Sequence, residues 1–145
     1  MLIALDSNVF IAALSPKEDH SSAAQQLVRD IASAKYQAIA SSIVYGEVIG
    51  LTKETQPNTL DLPSFFRSLR NLKTVPADDS ICATAGRLRQ EHGTKLRLAD
   101  AIHLATALNQ KADHFITNDL ILAKIAKGII PTKTLAGYDE VLESR

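Results

Sequence analysis

The segment Leu96 to Leu108, L-R-L-A-D-A-I-H-L-A-T-A-L, sets apolar side chains around nearly every face of one helix and places a single carboxylate, Asp100, near its start. A helix without a polar face has to lie inside a domain, covered by other elements. Ionised Asp is almost never buried alone, because stripping a carboxylate of water costs more than a few apolar contacts return. Asp100 therefore needs a cation. Arg97, three residues earlier, can supply one as an ordinary helix-surface ion pair. Three further acids, Asp6, Glu47 and Asp119, stand in similar apolar settings where strand-like runs give way to helix-like ones. Four such carboxylates raise the alternative of a shared metal site.

The rest of the chain supplies the elements that would bring them together. Leu2 to Leu5 is a continuous apolar run ending at Asp6, as in a strand buried on both faces. Ser7 and Asn8 open a short helix over Val9 to Leu14, and Ala24, Leu27, Val28, Ile31 and Ala32 recur at helical spacing after Ser21. Tyr36 to Ala40 reads as a second strand. Ser41 and Ser42 suit the N-cap of the next helix, in which Glu47 shares a stripe with Ile43 and Leu51. Lys53 to Leu62, with Pro57, Asn58 and Asp61, reads as a loop or linker and the best candidate for a mobile segment. Pro63 then opens a helix running through Phe65, Phe66 and Leu69 to Leu72. Lys73 to Val75 is a short strand, and Asp78 or Asp79 caps a helix from Ser80 to Glu91 that stops before Gly93. His114 to Thr117 is a strand with Asn118 and Asp119 at its end. Leu120 to Ala126 is a helix ended by Gly128, Thr132 to Leu135 a fifth strand, and a helical tail follows from Tyr138.

This alternation predicts a three-layer α/β/α fold with a central, mainly parallel sheet of four to five strands. A length of 145 residues suits one domain over 1–145, since domains run to roughly 100–200 residues. Ligands of such sheets bind beyond the carboxyl ends of the strands, where strand order reverses. Asp6 and Asp119 follow strands directly, and Glu47 follows one by a few residues.

All-oxygen donors suit Mg²⁺ or Mn²⁺. Unshielded, their like charges would raise at least one carboxyl pKa. Each acid also has a simpler reading. Asp6 ahead of Ser7-Asn8 and Asp119 after Thr117-Asn118 both suit helix caps. Glu47, between Gly46 and Val48, has no obvious helical partner. His103, one turn beyond Asp100, reads as a hydrogen-bonded core side chain or a support for the acids, not a ligand or base. Ser7, Asn8, Thr117 and Asn118 are placed to orient carboxylates.

Sixteen Lys and Arg balance sixteen Asp and Glu, so no global field attracts nucleic acid and any polyanion must be held by a local patch. Lys95, Arg97, Arg67 and Arg70 are the candidates, although any one such residue is more often a solvated surface charge. Cys82 is the one cysteine. It excludes an internal disulfide, fits a reducing compartment and, among Ile81, Ala83 and Ala85, reads as a small core residue. No basic n-region with an apolar run opens the chain, and no segment approaches the roughly 20 apolar residues of a membrane span. A cytoplasmic protein is expected.

Four motifs in order, L-D-S-N at Leu5–Asn8, Y-G-E-V at Tyr45–Val48, L-A-D-A-I-H-L-A-T-A at Leu98–Ala107 and I-T-N-D at Ile116–Asp119, resemble the PIN-domain ribonucleases, specifically the VapC-type toxins of toxin-antitoxin pairs. The resemblance covers essentially the whole chain. It implies a Mg²⁺- or Mn²⁺-dependent endoribonuclease acting on RNA, with Asp6, Glu47, Asp100 and Asp119 holding the metal, a homodimeric assembly, and a cognate antitoxin whose tail blocks the acidic groove. It leaves open a role in RNA processing and a silent RNA- or protein-binding module. A haloacid-dehalogenase-like phosphatase would require an acid where Asn8 stands, and a phospho-receiver domain an acidic neighbour that Asp6 lacks.

Overall fold

Apolar side chains alternate along three neighbouring strands and divide the interior into two cores. Ile3, Leu5, Ala38, Ala40 and Ile116 face one, while Ala4, Ile39 and Phe115 face the other. A sheet apolar on both faces must be covered on both. The computed structural model describes residues 1–51, 62–136 and 138; residues 53–61 of the expected linker and the tail after Tyr138 lie outside them. The strands are β1 (Leu2–Leu5), β2 (Gln37–Ser41), β3 (Leu72–Val75), β4 (His114–Thr117) and β5 (Thr132–Thr134). They pair in the order β3-β2-β1-β4-β5 and entirely in parallel. Strand order reverses at β1, where Ile3 stands level with Ala38 on one side and His114 on the other.

One face is covered by α1 (Ser7–Leu14), α2 (Ser21–Ala32), α3 (Val44–Leu51) and α4 (Leu62–Ser68), the other by α5 (Asp79–His92), α6 (Leu98–Asn109) and α7 (Leu120–Ala126). The expected three-layer α/β/α architecture is therefore what forms. On the first face Phe66 of α4 meets Phe10 of α1 and Tyr45 of α3 edge to face, with ring centroids 4.9 and 5.0 Å apart, which fixes the helix that carries Glu47. On the second, α6 buries Ala101, Leu104, Ala105 and Ala107 between α5 and the sheet. Gly93, at φ +73°, ends α5 in a conformation that a side chain would resist. A 3₁₀ turn (Gly93–Lys95) then leads into α6.

Several local expectations need correction. The helix after Pro63 stops at Ser68, and Leu72 already belongs to β3. Ser41 is the last residue of β2, and its hydroxyl accepts from the Ile43 amide in a tight turn ahead of α3. Ser42 accepts from Ala77 N–H instead of capping the helix, tying this turn to the exit of β3. Cys82 is exposed. The buried stripe of α5 runs through Ile81, Ala85 and Leu88, and a residue one step past Ile81 is rotated about 100° away from it. Among the described residues, no helix is long and apolar enough to cross a membrane.

Candidate metal centre

Asp6 ends the central strand and is only 1% exposed. It occupies the N-cap position of α1 yet makes no cap hydrogen bond. Its Oδ2 accepts instead from the Thr117 hydroxyl at 2.6 Å, at the end of the neighbouring β4. That hydroxyl oxygen also accepts from the Asp119 amide at 3.0 Å, so Thr117 fixes both acidic positions. Asp6 Oδ1 is buried without a hydrogen-bond partner among the described residues. Burial is the main reason its pKa is pushed up to about 6, with the Asp100 charge adding to it while His103 and Thr117 pull the other way.

Glu47 reaches in from α3. Its Oε1 lies 2.5 Å from His103 Nε2 on α6, a bond that joins the two helix layers across the end of the sheet. Burial pushes the Glu47 pKa up. The His103 bond and charge, a hydrogen bond with Ser7 and the charge of Arg97 outweigh it, and the net shift is downward. His103 is fully buried, as expected of a supporting side chain.

Asp100 sits in the first turn of α6, nearly buried, with Arg97 Nε 3.1 Å from its Oδ2. Burial raises its pKa; Arg97 and His103 oppose that rise without cancelling it, and Asp119 adds to it. The Arg97 side chain is 71% exposed, so the ion pair opens to water. Asp119 caps α7, its Oδ1 accepting from Ile121 N–H at 2.9 Å and Leu122 N–H at 3.1 Å. Oδ2 accepts nothing from the described residues. Capping and a second use of this carboxylate are thus compatible.

Among the described residues, no three His, Cys, Asp or Glu side chains are placed to hold one metal ion. The reason is visible at each acid: Thr117 holds Asp6, His103 holds Glu47, Arg97 covers Asp100, and Asp119 is turned to its helix. The donor set nevertheless suits a hard cation. It is all oxygen, it contains a buried carboxylate oxygen with no partner, and burial and neighbouring acids make the charged form of Asp6 costly. A cation would relieve that cost.

Other expected participants fall in different places. Ser7, buried at the start of α1, is among the groups that lower the Glu47 pKa, and Thr117 meets Asp6, whereas Asn118 donates to the Asp19 carbonyl at 2.8 Å and ties the α1–α2 turn to β4. Asn8 joins Asn118 and Asp119 in lining a cleft of about 310 Å³ beside the acids. Lys95 lies in the turn leading to the acidic end of α6. Arg67 lies in the last turn of α4, and Arg70 between α4 and β3. Not singled out from the sequence were the exposed large hydrophobics Ile49, Leu98, Leu120 and Ile121, which lie within two residues in sequence of Glu47, Asp100 or Asp119. The signal was available in those spacings.

Fold and centre together define a parallel α/β domain with acids gathered where strand order reverses. The PIN domain model matches residues 3–128, and the chain belongs to the PIN domain family. A chain of a toxin-antitoxin complex from Klebsiella pneumoniae is 26% identical, aligned over 93% of this chain and 98% of that one, with a TM-score of 0.64. VapBC2 from Rickettsia felis, bound to a promoter DNA fragment, aligns at 19% identity over 92% and 98% with a TM-score of 0.66. FitAcB from Neisseria gonorrhoeae aligns at 18% identity over 94% and 99% with a TM-score of 0.65. No curated protein matches the sequence.

Proposed function

We propose that this chain is a divalent-metal-dependent endoribonuclease and the toxin of a type II toxin-antitoxin pair, working in the cytoplasm. One observation carries the reading. A buried, charge-strained Asp6 with an unpartnered Oδ1 stands at the reversal of strand order, with Asp100, Glu47 and Asp119 on the elements around it. Asp6, Glu47, Asp100 and Asp119 would hold Mg²⁺ or Mn²⁺. Such an ion, when bound, polarises a phosphoryl oxygen and lowers the pKa of a water for attack at phosphorus. Thr117 keeps Asp6 oriented through Oδ2. Arg97 neutralises Asp100 in the absence of a cation and, released from it, is free to meet a backbone phosphate, with Lys95 close by in the preceding turn. Neutral net charge means that RNA is held by these local cations.

The partner follows from exposed apolar side chains on the elements that carry the acids. Ile49, Leu98, Leu120 and Ile121, together with the acidic groups, suit a protein segment that combines apolar side chains with a basic one. We assign it to a cognate antitoxin, consistent with the complexes formed by structurally similar chains, and we expect a homodimer. The test is incubation of purified protein with total cellular RNA in Mg²⁺, in Mn²⁺ and in EDTA. Discrete metal-dependent fragments without 2′,3′-cyclic phosphate ends are expected, because water and not the ribose hydroxyl is the nucleophile. Fragments that persist in EDTA, or intact RNA with either ion, would overturn the reading.

A further inference from the structure

The fully buried His103 is an expensive residue for a core otherwise built of Ala, Leu, Ile and Val. Its ring lies on α6, one turn after Asp100, and its Nε2 is 2.5 Å from Glu47 Oε1 across 56 residues of sequence. Nδ1 makes no hydrogen bond among the described residues. The ring's one polar contact therefore goes to Glu47, an acceptor, which identifies Nε2 as the protonated nitrogen. Glu47 is partly open to water, so its carboxylate does not need His103 for solvation. What it lacks on the short helix α3 is direction: a Glu side chain has three torsions to freeze before it can ligate an ion. His103 restrains that carboxylate from another element. His103 also links the helix bearing Asp100 to the helix bearing Glu47.

We propose that His103 is a positioning residue for Glu47, holding the carboxylate through Nε2–H so that the centre can capture its metal ion. The proposal rests on the metal-site reading above. A histidine that merely fills the core would be indifferent to where the replacement puts its donor. A positioning histidine is not, which decides the variants. Gln carries an amide N–H near the Nε2 position, whereas the amide of Asn falls near Nδ1 and cannot reach Glu47.

The experiment is calorimetric titration of the full chain with MnCl₂ in the absence of RNA, with thermal melting in EDTA run on the same samples. His103→Asn is expected to weaken Mn²⁺ binding about 10- to 100-fold, the usual effect of removing a ligand's hydrogen-bond support. His103→Gln should retain affinity within a few-fold of wild type. Placed on Glu47→Gln, His103→Asn should weaken binding no further, since its effect passes through the carboxylate. Equal Mn²⁺ affinity in wild type, His103→Asn and His103→Gln would overturn the positioning role and leave the metal centre standing. Parallel losses in both variants that track their melting temperatures would assign His103 to packing. Absence of Mn²⁺ binding by the folded wild-type chain would remove the metal-site reading itself, and the positioning role with it.

Discussion

Burial governs the ionisation of Asp6, and the sign of its effect on stability follows directly. Its pKa rises from 3.8 to about 6 on folding, so the folded state holds the proton more tightly than the unfolded one. Above the folded value the charge costs stability, below 3.8 it costs nothing, and the loss develops as pH rises between them. A shift of about two units corresponds to about 3 kcal/mol. Asp6→Asn keeps an acceptor for Thr117 while removing the charge. In EDTA it should melt higher than wild type near pH 7.5 and lose that advantage below about pH 4. Equal melting temperatures at both pH values would mean the carboxylate is not destabilised by its site. The four acids were legible in the sequence because each interrupts an apolar run, where charge demands a reason. The partners were less so. That Asn118 turns to a backbone carbonyl, or that Thr117 serves two acids at once, depends on which strand lies beside β1.

At the scale of elements, the caps expected at Asp78 and Asp119 form, whereas Ser42 and Asp6 cap no helix. Asp78 caps α5 by accepting from Ile81 N–H at 2.9 Å, and Asp78→Ala should cost about 1 kcal/mol in denaturant titration. Leu104, fully buried in α6, is a stronger determinant: Leu104→Ala should destabilise by roughly 2–5 kcal/mol in denaturant titration. A loss under 1 kcal/mol would contradict the central packing of that helix. The chain after β5 is fastened by Tyr138, whose hydroxyl donates to Asp30 Oδ2 on α2 at 2.6 Å, with Gln26 on Oδ1. Burial, reinforced by Asp30, raises the Tyr138 pKa and keeps the phenol protonated. Tyr138→Phe should cost about 1–3 kcal/mol by leaving Asp30 short of a donor. Neither Asp30 nor Tyr138 drew attention in the sequence, because a pair 108 residues apart leaves no local periodicity. Cys82 was misplaced for the opposite reason: its neighbours are apolar, but the stripe it belongs to is not.

The whole molecule is organised by one topological fact, the reversal of strand order at β1, which brings the ends of β1 and β4 together and sets α3 and α6 on opposite faces above them. Strand-helix alternation in the sequence implied a parallel sheet and an acidic edge. It did not give the order of strands, which is set by contacts distant in sequence. Arg97 lies on Asp100, and Asp6 Oδ1 is buried without a hydrogen-bond partner among the described residues. A crystal of the protein grown with MnCl₂ and measured for anomalous scattering tests the metal-site reading most directly. A Mn²⁺ peak is expected against Asp6 Oδ1, shared with Asp100, with Arg97 withdrawn from the Asp100 carboxylate. A map with no peak among the four acids, or Mn²⁺ bound elsewhere while Arg97 stays on Asp100, would contradict it.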